Sequence, residues 1–392
     1  MASPEAIGRD AAAVGDSIPC RQRRSGDRLA DLEIGPTSGL ECLAEPFPFA
    51  GRPLIGMLRI GIVVLAAGCV LCAQPKIGLI EVYGLRKVPR EKILAALGAK
   101  EGSQLPSSKE ETEERLEGID GVVRASLSAV CCEAGKAILY VGIEERGAPR
   151  FEFHAPPKGD QRLPEEMLKD WFEFLPAVEA AVRAGNSGED RSKGYSLMAD
   201  PTARQIQEKF LTHAEPHYEL LREVLKKSSD PEHRGIAAYI LGYAKNKRQV
   251  ADELQYAMRD SDPSVRNNAM RGLSALAILA AQDPDLMIRI SYTWFVEMLN
   301  SVEFTDRNKA AMTLVEVTEK RDPALLALLR ERAVPSLTEM ARWRNLGHSL
   351  FGFILLGRVA GMTEDEIQEL WKKTDRETLL RKVKDSGSKK KS

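Results

Sequence analysis

Cysteine is scarce in this 392-residue chain: there are six, and none after Cys132. Cys20 and Cys42 lie far upstream, Cys69 and Cys72 sit in an apolar run, and Cys131 and Cys132 are adjacent. A disulfide between neighbours closes a tiny strained ring and staples no loop. Stability is therefore expected from packing, even in an oxidising compartment. An excess of one charge is also missing. Lys and Arg number 56 against 57 Asp and Glu, a formal net charge of -1. No global field draws such a chain to nucleic acid or acidic membrane. No phosphate loop, nucleophile elbow or metal-ligand cluster can be found as a motif. The expectation is a non-enzyme that holds no cofactor and no metal. What is present is a 43% hydrophobic content, enough for real cores, and a length that suggests two domains.

Long apolar runs are few, and one stands out. It opens with Met57-Leu58-Arg59, continues from Ile60 as IGIVVLAAGCVLCA, and stops before Gln74-Pro75. A basic start, about 7–15 apolar residues and a small residue at the cut make the layout of a secretory signal peptide. A membrane-spanning helix needs about 20 apolar residues, more than this run has. Residues 57–73 are thus read as signal-like, with three open fates. These are cleavage after Ala73, lipidation at Cys69 in Leu65-Ala66-Ala67-Gly68-Cys69, or retention as a short membrane anchor. Residues 1–56 carry scattered Gly, Pro, Arg and Asp with no period, and read as disordered, Met57 being the expected start. Export to the periplasm or envelope follows from this segment. A cytosolic regulator is the alternative if translation begins at Met1.

Residues 76–146 read as a compact β-α-α-β-β unit. Ile77 to Tyr83 is strand-like, with Ile80 and Val82 on one face. Pro89 opens a helix through Leu97, and Ser107 or Ser108 caps a second, Glu-rich one carrying Leu116. Val122 to Cys132 is a second strand, and Glu133-Ala134-Gly135-Lys136 a hairpin turn. In a third strand, Ala137 to Glu145, Ile138, Tyr140 and Gly142 face one way and Leu139, Val141 and Ile143 the other. The positions Ile80-Glu81-Val82-x-Gly84, Val88-Pro89-x-x-x-Ile93, Gly102, Leu105, Leu116, Val122-x-x-Ala125 and Leu139-x-Val141-x-Ile143-Glu144-Glu145 resemble a POTRA domain. That resemblance implies a periplasmic module that binds other chains, often through a strand edge. No series of alternating strands follows, so no barrel is expected.

Residues 147–200 read as a linker with one helix, Pro164 to Ala184, and a polar loop over 185–200. From 201 to 384 the chain reads as helix after helix. Asp-Pro recurs at Asp200-Pro201, Asp230-Pro231, Asp262-Pro263, Asp283-Pro284 and Asp322-Pro323. Asp is a preferred N-cap and Pro fits the first helical position, so each pair marks a helix start. Arg234, Ala237 and Leu241 superpose on Arg266, Ala269 and Leu273, and on Arg307, Ala310 and Leu314. Arg344 begins a weaker copy, and successive arginines stand 32, 41 and 37 residues apart. Such periods mean stacked helical repeats. The Asp-Pro-x-x-Arg-x-x-Ala-x-x-x-Leu pattern looks like HEAT repeats of the short, phycobilisome-lyase-like type. That resemblance implies a superhelix whose concave face binds protein partners. A lyase-like or tetrapyrrole-handling protein is the alternative it raises; such activity needs a cleft with polar or thiol groups, and residues 201–384 contain no cysteine. Residues 385–392 read as a basic tail.

Few side chains suggest chemistry. His213 and His217 stand four apart, a spacing that can place two ligands on one helix face. Pro216 interrupts that helix, so both read as solvated helix ends, as do His154 and His233. His348 falls at a repeat core position and reads as buried and hydrogen-bonded. Cys131-Cys132 read as strand residues near a hairpin, or else as a redox pair. The repeat arginines are expected to bond carboxylates or helix ends. Trp294, Trp343 and Trp371 are expected in the core, and Trp171 is expected to pack the linker helix onto the repeats.

Overall fold

A computed structural model describes residues 76–133, 135–149 and 151–388. The readings of residues 1–56, of the segment 57–73 with Cys69 and Ala73, and of Lys389 to Lys391 lie outside the described residues.

The first unit follows the order β1 (Ile77–Tyr83), α1 (Arg90–Leu97), α2 (Lys109–Glu117), β2 (Val122–Glu133) and β3 (Lys136–Glu145). The sheet order is β1-β3-β2, with β1 parallel and β2 antiparallel to β3. Gly84 ends β1 at φ 82°, where a Cβ would stand 2.1 Å from the Ile143 carbonyl oxygen. Ser108 caps α2 by accepting from Glu111 N. The Glu145 carboxylate accepts from the backbone N–H groups of Arg86, Lys87 and Val88, which fixes the turn after β1. One sheet face packs Ile80, Leu139, Val141 and Ile143 against Ile93, Leu97 and Leu116 of α1 and α2. The opposite face, with Tyr83, Val130, Ile138 and Tyr140, is buried in the helical core. Both faces are covered, which explains why β3 is apolar on both sides.

The chain then crosses the helical region before entering it. His154 N donates to Arg259 O at 2.7 Å, Gly159 N to Lys227 O at 2.8 Å, and Leu163 N to His233 Nδ1 at 2.9 Å. The expected linker is therefore a strap held by backbone hydrogen bonds. It leads into α3 (Glu165–Arg183), which lies against α4 (Pro201–Ala214). The segment 185–200 is largely loop, but it is neither wholly irregular nor wholly exposed. It contains the short ladder β4 (Glu189–Asp190) and β5 (Leu197–Met198), and buries Leu197 and Met198. Burial is possible because Gln207 Oε1 accepts from Met198 N, and the Ser196 carbonyl accepts from Tyr243 Oη.

The remaining helices are α5 (Tyr218–Lys227), α6 (Pro231–Leu241), α7 (Lys247–Ala257), α8 (Pro263–Gln282), α9 (Tyr292–Met298), α10 (Phe304–Val317), α11 (Pro323–Arg332), α12 (Val334–Ala341), α13 (Leu346–Val359), α14 (Glu364–Lys372) and α15 (Arg376–Ser388). Asp200, Asp230, Asp262 and Asp322 each cap a helix with the side chain, while Asp283-Pro284 starts only a 3-10 turn. The last helix runs to Ser388, so a tail does not begin at 385. Helices α6, α8, α10 and α13, which carry the repeat signature, pack side by side in one layer. Each is backed by the helix before it: α5, α7, α9 or α12. This is a helical repeat region preceded by a small mixed sheet.

Candidate functional site

Four turns lead into the signature helices, and the N-terminal part of the chain touches every one. Gly159 meets the turn at Lys227–Ser229, and His154 the turn at Arg259. Tyr83 Oη donates to Val302 O at 2.7 Å, and Ser126 Oγ to Glu303 Oε2 at 2.5 Å. Arg124 Nη2 also reaches Glu303, at 2.6 Å. At the fourth turn, Arg344 binds Glu81, Glu101 and the Ile80 carbonyl. Strap and sheet thus run antiparallel to the repeats along one edge.

The signature arginines explain that edge. Arg234 grips Asp260 through two 2.8 Å bonds and the Ser228 carbonyl at 3.0 Å. Arg266 grips Asp306 and the carbonyls of Asp260 and Ser261, with its guanidinium 4.1 Å from the Phe153 ring centroid. Arg307 binds Glu339 and the Ser301 carbonyl and lies 4.5 Å from the Tyr83 ring centroid. Arg344 turns to the sheet instead. These four arginines tie repeat to repeat, then repeat to strap and sheet. Ala237, Leu241, Ala269, Leu273, Ala310 and Leu314 are fully buried between the helices. Asp230, Pro231, Asp262 and Pro263 form the helix starts, with each Asp accepting from backbone N–H groups.

Histidines proved more buried than their surroundings in sequence suggest. His213 is not solvated: its Nε2 lies 2.8 Å from Asp170 Oδ2 on α3, and His217 is not brought beside it. His233 is buried and accepts from the strap at Leu163. His154 is half-buried against Tyr256, and burial holds its pKa below the ordinary value. His348 is buried and pairs with Tyr140 Oη at 2.6 Å, and burial pushes its pKa down to about 4. Trp171 packs edge-on to Tyr239 of α6, with ring centroids 5.0 Å apart, and Trp343 is buried beside Tyr140. Trp294 and Trp371 are only partly buried, against Phe151 and Phe353. Cys131 and Cys132 fall in β2. Among the described residues no His, Cys, Asp and Glu cluster could hold a metal, and no helix is long and apolar enough to cross a membrane.

The edges of the sheet carry the protein's own bonds. On β1, Ile80 N donates to Glu101 Oε1 at 3.1 Å, and Ile80 O accepts from Arg344. On β2, Ala125 N and Leu127 N donate to Glu117 and Glu113 of α2, at 3.0 and 2.6 Å. An extended partner arriving at either edge meets these groups first. The strand edge suggested by the sequence is therefore occupied at these positions.

Open space lies on the signature-helix layer. A groove of about 360 Å³ runs between α3 and β2 across the starts of α6, α8 and α10. Trp171, Phe174 and Tyr239 give it an apolar wall, and Asn267, Asn268 and Ser128 polar points. Asn267 Oδ1 is buried there without a hydrogen-bond partner. A neighbouring cavity of about 430 Å³, under the β4–β5 hairpin, shares Arg271 with the groove. None of Asn267, Arg271 and Lys309 was singled out in the sequence. The available signal was a polar stripe, Asn267, Arg271 and Ser274, beside the repeat core positions Ala269 and Leu273.

Residues 218–291 match the family model for HEAT repeats. The match takes in the signature helices α6 and α8 and the groove residues between them. No curated protein matches the chain. HEAT repeats are stacked helical pairs that commonly serve as scaffolds for protein interaction.

Proposed function

We propose that this protein is an exported, non-enzymatic interaction scaffold in which a POTRA-type sheet module braces a HEAT-type helical array. The partner is an extended peptide segment lying in the groove between α3 and β2. The observation that carries this reading is the groove itself, apolar along Trp171, Phe174 and Tyr239 with Asn267 Oδ1 left unpaired. Apolar grooves with a few convergent polar atoms are where ligands are oriented. A backbone N–H of the partner supplies the bond Asn267 lacks, and an apolar side chain covers the aromatic wall. The β-α-α-β-β order with parallel β1 and β3 supports the POTRA-type assignment. The signal-like run at 57–73, just before that module, supports export to the periplasm or envelope.

Filling the groove tests the reading. Asn267→Trp is expected to keep the helical circular-dichroism spectrum and to lose at least ten-fold in recovery of a protein partner from envelope extract. Unchanged recovery would place the partner elsewhere. Recovery of the tagged protein from the cytosolic fraction alone would contradict export.

A further inference from the structure

We propose that the cavity under the β4–β5 hairpin is a binding site for one small oxyanion, a carboxylate or a phosphate-type group, held by Lys309. The cavity of about 430 Å³ is walled by α8, α10 and the segment 188–191. Its walls bring together two ion pairs. Arg271 bonds Glu189, which also accepts from Ser196 Oγ at 2.6 Å. Arg191 bonds Glu316 at 2.5 Å, and Glu316 also accepts from Ser274 Oγ at 2.9 Å. These pairs cancel. Asp190 also lines the cavity but is exposed and accepts from Ser192 N and Oγ at 3.0 and 2.7 Å, which leaves Lys309 as the one buried cation in excess. It is 6% exposed and lines the cavity, yet no carboxylate or other acceptor among the described residues lies within bonding reach of its Nζ. Arg271 Nε, beside the same cavity, is buried without a partner as well.

A buried cation without a counter-charge is costly. Its amine is accordingly pushed down to about 7, by burial first and by Arg271 second. The groups facing it are Arg271 from α8, Glu189 and Arg191 from the hairpin segment, and Glu316 from α10 itself. Of these, the carboxylates raise its pKa and the arginines lower it. An entering oxyanion supplies the missing negative charge and favours the protonated amine. Binding is therefore linked to proton uptake, and affinity falls as pH rises through 7.

Calorimetric titration of the full chain with sodium acetate, and separately with sodium sulfate, tests this at pH 6.5 and 8.5. Neither anion titrates in that range. The expected result is saturable binding of at least one anion at pH 6.5, weakening about 20-fold at pH 8.5. Acetate alone assigns a carboxylate ligand, and sulfate alone a tetrahedral, phosphate-type one. Lys309→Met is expected to bind neither with its circular-dichroism spectrum unchanged. Lys309→Arg, which stays charged, is expected to bind equally at both pH values. No binding of either anion by the wild type at pH 6.5, or binding by Lys309→Met with the wild-type pH dependence, overturns the proposal.

Discussion

Arg266 and Asp306 are both 0% exposed, and the ion pair between them joins the start of α8 to the first turn of α10. Removing one partner leaves a buried charge with nothing to balance it. Arg266→Met is therefore expected to lower unfolding stability by about 3–5 kcal/mol in urea. The double variant Arg266→Met with Asp306→Leu is expected to recover most of that loss, because neither charge is then stranded. A double variant as unstable as the single one would mean that the bonds to the Asp260 and Ser261 carbonyls carry the stability instead. The arginine was legible in the sequence through its period, but its partner was not. Asp306 stands 40 residues away, at a helix start without the Asp-Pro pair that marks α6 and α8. His213 was misjudged for a similar reason: its partner, Asp170, lies on α3, outside the repeat pattern.

Individual strands and helices were more legible than the way they cover one another. The alternation of β3 divides Ile138 and Tyr140 from Leu139, Val141 and Ile143, as the two cores do. β3 reads as apolar on both faces, but sequence could not say what covers the second, because that cover comes from helices about 200 residues later. Gly142 marks that contact. A Cβ there would stand 1.9 Å from the Val302 carbonyl oxygen and 2.7 Å from Tyr83 Oη. Gly142→Ala must push the sheet off the turn before α10, at a cost of about 1–3 kcal/mol. Hydrogen exchange is expected to quicken at Tyr83, Val302 and Phe304 while the centres of α6 and α7 stay protected. Uniform loss of protection across all helices would contradict this local reading. The strap was missed because its Pro-rich composition resembles a loose linker. The turns at Lys227 and Arg259, together with His233, supply bonds that order it.

At the scale of the whole molecule, the chain returns on itself. The sheet sits at the turns before α10 and α13, the strap runs back to the turn before α6, and the helices lead forward again to the sheet. One edge of the repeats is thereby used internally, and the groove between α3 and β2 is bounded by elements from both ends of this circuit. The proposed partner surface is thus built by the docked modules together. Site-specific photo-crosslinking in intact cells tests that claim most directly, with the probe at exposed Glu232 in the groove or at exposed Asp252 on α7. Adducts to a partner protein from position 232, and none from position 252, are the result predicted. Adducts from position 252 and none from 232 would contradict the account.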